Sequence, residues 1–89
     1  MTRSRVVVHG LVQGVGFRYA VAARARSLGA AGWVRNRADG AVEAVFEGEA
    51  DAVSALVRFC REGPRGAAVE RVEETAEAPE GLRGFSVVR

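Results

Sequence analysis

Three features of this chain have the residue types and spacing for chemistry: a glycine-bearing run, the arginine that ends it, and Asn36 further on. The run from His9 to Arg18 reads His-Gly-Leu-Val-Gln-Gly-Val-Gly-Phe-Arg, with glycines at 10, 14 and 16. Glycine admits positive φ and lets backbone come close to a ligand. A strand that turns through glycines into a helix start aims N–H groups and the positive helix end at one point, which suits an anion. Arg18 falls in the first turn of that helix, where the macrodipole disfavours a cation by about 0.3 to 1 kcal/mol. A bound anion would compensate, and a guanidinium can grip two of its oxygens in a bidentate fork that lysine does not reproduce.

Known nucleotide motifs do not fit. Walker A requires Lys-Ser/Thr after its last glycine, whereas Gly16 is followed by Phe17 and Arg18. The dinucleotide fingerprint Gly-x-Gly-x-x-Gly is absent, and the chain is too short for that fold. A compact cradle for one phosphate-sized anion remains. Asn36 can both donate and accept, so it can hold a water in line with a phosphorus atom, but it cannot serve as a base. With no Ser/His/Asp set, no Cys/His pair and no metal ligands nearby, such a site could act only on an activated substrate. A mixed carboxylic-phosphoric anhydride is one, and positioning and electrostatics could supply most of its catalysis.

The elements that must position these groups follow from periodicity. Arg5 to His9 is a β-branched first strand. Phe17, Val21, Ala25 and Leu28 form the apolar stripe of a helix that Gly29 closes. Gly32 to Asn36 and Ala41 to Glu47 read as strands joined by an Arg37-Ala38-Asp39-Gly40 turn. In the latter strand Val42, Ala44 and Phe46 share one face, with Glu43 and Glu47 on the other. A second helix carries Glu49 and Asp51 at its start, a Val53, Leu56, Val57 and Cys60 stripe, and a Gly63-Pro64 stop. Ala68 to Ala76 is a charge-laden strand suited to a sheet edge; Pro79-Glu80-Gly81 is a turn, and Gly84 to Val88 a short last strand. The order βαββαβ plus that strand predicts an α+β, ferredoxin-like split-βαβ sandwich, with both helices on one face of a mostly antiparallel sheet. If the first crossover is a βαβ unit, strands one and two are parallel, and Asn36 ends up on the same side of the sheet as the glycine loop.

At 89 residues, residues 1–89 are expected to form a single domain. No apolar run approaches the roughly 20 residues of a membrane span, and no signal-peptide core follows Met1, so a cytoplasmic protein is expected. All 13 basic residues are arginines, scattered and diluted by 11 acids, which gives little support for nucleic-acid binding. The single Cys60 reads as a buried structural thiol, and one histidine without a Cys/His cluster argues against zinc. Trp33 and Phe17 read as core, His9 as an ordinary strand residue, and Arg35 and Arg37 as solvated charges. The Gln13 side chain is as well suited to supporting the loop as to touching a ligand.

Val8 to Arg18 and Gly32 to Gly40 closely resemble the two signatures of the acylphosphatase family, and the resemblance extends to the Gly63-Pro64 helix end and the closing Gly-Phe-x-Val segment. It implies a ferredoxin-like sandwich and metal-free, cofactor-free hydrolysis of acyl phosphates to a carboxylate and inorganic phosphate, by a hydrolase acting on acid anhydrides. It further implies that Arg18 binds the phosphate, that Asn36 orients the attacking water, and that the amides of Gln13, Gly14, Val15, Gly16, Phe17 and Arg18 complete the cradle. The expected partners are the acyl phosphate and inorganic phosphate, without nucleic acid or membrane, and the expected state is a monomer. Ala30 stands where a larger aliphatic residue is common in the family. Two other classes stay open: a noncatalytic phosphate-recognising module, and an RNA-recognition domain on the same topology. The latter needs exposed aromatics on the central strands, where this chain has few.

Overall fold

In the computed structural model, which describes residues 1–89, the chain runs β1 (Thr2–Leu11), α1 (Phe17–Ser27), β2 (Ala31–Asn36), β3 (Val42–Gly48), α2 (Ala50–Glu62), β4 (Ala68–Glu77) and β5 (Phe85–Val88). The sheet order is β4-β1-β3-β2-β5. β3 pairs antiparallel with both β1 and β2, β4 pairs antiparallel with β1, and β5 pairs parallel with β2. This is the ferredoxin-like α+β architecture expected above. Because β1 and β2 both oppose β3, they run parallel to each other and end at the same edge of the sandwich.

One hydrophobic cluster holds the helices to the sheet. Phe17, Val21, Ala22 and Ala25 of α1 and Val53, Leu56, Val57 and Cys60 of α2 pack on Val6, Val8, Val34, Val42, Ala44 and Phe46. Leu28, expected in the α1 stripe, is instead 40% exposed, because it sits at the C-cap while Ala22 faces the core. Gly29 follows in the left-handed region (φ +70°). Its N–H reaches the Arg26 carbonyl and the Ala30 N–H the Ala25 carbonyl, the paired bonds of a Schellman ending. Cys60 is fully buried, and burial pushes its thiol up to about 12, so it is a packing residue rather than a nucleophile.

The opposite face of the sheet departs from expectation. β1 starts at Thr2 rather than Arg5, since Arg3 and Ser4 pair with β3 and β4 despite their polarity. Arg3 bonds Glu47 at 2.7 Å and Glu77 at 2.8 Å, Arg5 bonds Glu43 and Glu77, and Arg35 grips Glu43 through two nitrogens. Arg35 is therefore tied into a network rather than freely solvated. Trp33 is also not core: it lies half-buried on this outer face, with the Arg5 and Arg35 guanidinium groups 5.5 and 5.7 Å from its ring. Cation–π contact with two arginines gives an indole a stable place outside the apolar cluster.

Glu47 anchors the last loop. The Pro79-Glu80-Gly81 segment is not a hydrogen-bonded turn; it is part of an irregular loop, with Gly81 at φ +79°, and the Glu80, Gly81 and Leu82 N–H groups all donate to the Glu47 carboxylate. Burial pushes the Glu47 carboxyl up, but the Glu80 N–H, the Arg3 guanidinium and the Leu82 and Gly81 N–H groups outweigh it and bring it down to about 2. Since the folded value lies below the ordinary value of 4.5, this stabilisation is complete above that pH and is lost as pH falls toward 2. Glu47→Gln should therefore cost on the order of 2 to 3 kcal/mol in urea unfolding at about pH 7, and the gap to the parent should narrow as pH falls below 4.5 and be nearly closed at about 2. A gap that stays constant with pH would contradict this account of the carboxylate.

Candidate active site

The C-terminal ends of β1 and β2 frame the site. β1 carries a bulge between His9 and Gly10 and stays paired with β4 through Leu11; a side chain at Gly10 would place its Cβ 2.2 Å from the Ala68 carbonyl oxygen. Only glycine fits so close to β4, and the bulge re-aims the chain into the loop. Gly14 and Gly16 both adopt φ +77°, and Gly16 is the left-handed N-cap of α1. No side chain caps this helix and no acidic residue lies in its first turn. The first-turn N–H groups thus lack intrahelical partners, and the positive helix end is not offset by a carboxylate.

Arg18 and Asn36 meet there. A cleft of about 190 Å³ is lined by Val12, Gly14, Gly16, Phe17, Arg18, Tyr19 and Asn36. That is room for about six water-sized groups, enough for a phosphate group and one water. Arg18 makes a single long bond, Nη1 to the Val88 carbonyl at 3.4 Å, and no carboxylate lies within salt-bridge range of it. Most of its donors are free for an anion. Asn36 is half-buried at the last pair of the β2·β3 ladder, opposite Val42, and its carboxamide is bonded to no other group of the chain. No group of three or more His, Cys, Asp or Glu side chains lies close enough to hold a metal ion.

The loop residues divide. Gly14, Gly16, Phe17 and Arg18 line the cleft, whereas the Val15 side chain packs against the core cluster and the Gln13 side chain turns to the β2–β3 hairpin, where Nε2 donates to the Arg37 and Ala41 carbonyls at 2.7 and 2.9 Å. Phe17 is both core and cleft floor, 2% exposed. Two contributors escaped the sequence reading. Tyr19, 59% exposed, stands at the cleft wall with its ring 5.8 Å from the Arg18 guanidinium, and Val88 steadies Arg18 from β5. Tyr19 could have been noticed as a first-turn aromatic off the apolar stripe; the Val88 contact depends on a strand pairing that four residues do not announce. His9 bonds Glu73 on β4, Arg37 bonds Asp39 at 2.9 Å, and neither lines the cleft. A larger groove of about 520 Å³ lies at the other end of the sheet, but Arg26 and Glu47, which line it, are engaged with the Phe85 carbonyl and the last-loop N–H groups.

The chain is thus a ferredoxin-like α+β fold in which an arginine without a carboxylate partner and an unbonded carboxamide share an anion-attracting cleft. Its sequence matches the acylphosphatase family model over residues 4–87. It is 60% identical over 86 residues to an acylphosphatase of Rubrobacter xylanophilus, covering 96% of this chain and 78% of the relative. It is 55% identical over 89 residues to one of Nostoc sp., covering 100% and 88%. The crystal structure of acylphosphatase from Bacillus subtilis superposes with a TM-score of 0.96 at 40% identity, covering both chains completely. The chain belongs to the acylphosphatase family, and its activity is that of an acylphosphatase, a hydrolase acting on acyl phosphates.

Proposed function

We propose that the Arg18 guanidinium and the amides of the Gln13 to Arg18 loop bind the phosphate group of an acyl phosphate, while Asn36 orients the water that attacks phosphorus. The observation that carries this reading is the convergence of Gly14, Gly16, Arg18 and Asn36 on one cleft with no acid in the helix turn that faces it. The cleft supplies N–H donors and positive charge where negative charge concentrates in phosphoryl transfer. Water adds to phosphorus as the bond from phosphorus to the acyl oxygen breaks, so the dianion and water give a carboxylate and dihydrogen phosphate. The carboxylate leaves without a general acid because its conjugate acid has a pKa of about 4. The attacking water needs no strong base, since its proton ends on the released phosphate. Residues 1–89 act as one domain and one monomer in this reading, in the cytoplasm, without a nucleic-acid partner.

Two outcomes test it together. Hydrolysis of an aryl acyl phosphate in ¹⁸O-water should place the label in phosphate, and label in the carboxylate would mean attack at the acyl carbon, which leaves Asn36 without its role. The rate should be unchanged by EDTA, because no metal ligands surround the cleft; a rate restored by Mg²⁺ after EDTA would contradict the donor assignment.

A further inference from the structure

The only side-chain hydrogen bonds joining the glycine loop to the hairpin after Asn36 come from Gln13. Its Nε2 donates to the carbonyls of Arg37 at 2.7 Å and Ala41 at 2.9 Å. With two carbonyl acceptors, chemistry alone requires the amide nitrogen at that position, and both of its protons are used. These acceptors belong to a closed frame. The Arg37 N–H donates to the Ala41 carbonyl at 2.8 Å, the Gly40 N–H to the Arg37 carbonyl at 3.2 Å, and the Ala41 N–H to the Asp39 carboxylate at 3.1 Å. Arg37 directly follows Asn36, so whatever fixes Arg37 fixes the base of the Asn36 side chain.

We infer that Gln13 is a positioning residue for the hydrolysis, clamping the glycine loop to the β2–β3 hairpin so that the water on Asn36 stays in line with the phosphorus in the loop. Each half of the site stands on its own support, the loop on the start of α1 and Asn36 on the end of β2. The separation between the halves is what in-line attack depends on, and an error of about 1 Å can cost about 10² in rate. Gln13 spans that separation. Its side chain gives no proton to the ligand, so its loss should leave phosphate affinity largely intact while turnover falls.

The inference rests on the roles proposed for Arg18 and Asn36, and the experiment separates the two. Gln13→Glu keeps the shape but sets a carboxylate against two carbonyls. The expected result is a fall in kcat of about 10- to 100-fold at pH 7; the introduced charge also repels the phosphate dianion, so phosphate affinity is read in an uncharged variant. Protonating the introduced carboxylate returns one donor, so the ratio of variant to parent kcat should recover as pH falls from about 6 to 4. Gln13→Met, which keeps the stem and lacks both donors without adding charge, should show a similar kcat loss without the recovery, with the inhibition constant of inorganic phosphate within about twofold of the parent, and serves if the first variant folds poorly. Combined with Asn36→Ala, either change should add little further loss, because both act on the same water. Turnover near the parent's in a folded variant, equal losses in kcat and phosphate affinity in Gln13→Met, or fully multiplicative losses in the double variant would each overturn the inference. Retained turnover in Asn36→Ala alone would overturn the role of Asn36 instead.

Discussion

Replacing Arg18 with lysine is expected to weaken inorganic phosphate as a competitive inhibitor by about 10² to 10³, or ~3 to 4 kcal/mol. The charge is kept and the fork is lost, so the effect isolates bidentate geometry from simple attraction. Folding should barely notice. The only bond Arg18 makes within the chain is the long one to the Val88 carbonyl, and a lysine leaves the cation at the helix start as it was. Arg18→Met sharpens the point. It should abolish measurable phosphate inhibition while stabilising the fold by about 0.3 to 1 kcal/mol, because a cation has left the positive end of α1. A first-turn arginine with no carboxylate partner is a local cost that makes sense only when an anion is bound. Near-normal phosphate inhibition in Arg18→Lys would remove the arginine from the binding site.

Asn36→Ala is expected to do the reverse. Its carboxamide is free of internal bonds, so removal leaves no orphaned partner, and stability should change by less than about 1 kcal/mol. Turnover should fall by about 10² to 10³, the usual consequence of deleting one oriented hydrogen-bonding group from a transition state. Phosphate affinity should stay within about twofold. Asn36→Asp adds a useful contrast, since a carboxylate of nearly the same shape repels the phosphate dianion and should weaken binding as well as turnover.

Much of this site could be read from the chain because its parts are local. The glycines at 14 and 16 specify the loop, and Phe17, Val21 and Ala25 specify the helix that follows. The alternation from Val42 to Glu47 specifies the central strand, and through it the parallel course of β1 and β2 that brings Asn36 to the loop. What escaped is nonlocal. Arg3 and Ser4 look like a polar leader until Glu47 and Glu77 are seen to accept from Arg3, and Glu74 from Ser4, all distant in sequence. Trp33 looks like core until two arginines flank it on the outer face, and the last-loop turn at Pro79 to Gly81 dissolves because Glu47 takes its N–H groups. The even choice at Gln13 could not be decided from residue type, since an amide suits a ligand and a carbonyl equally well. Only the fold places the Arg37 and Ala41 carbonyls within its reach.

The two substitutions, measured side by side, put the division of labour in the cleft to its most direct test. The measurement is kcat on an aryl acyl phosphate together with the competitive inhibition constant of inorganic phosphate, for the parent, Arg18→Lys and Asn36→Ala. The account predicts that the inhibition constant rises by about 10² or more only in the arginine variant, and that the asparagine variant loses turnover with its phosphate affinity kept. An asparagine variant that turns over like the parent, or one that loses phosphate affinity in step with kcat, would contradict it.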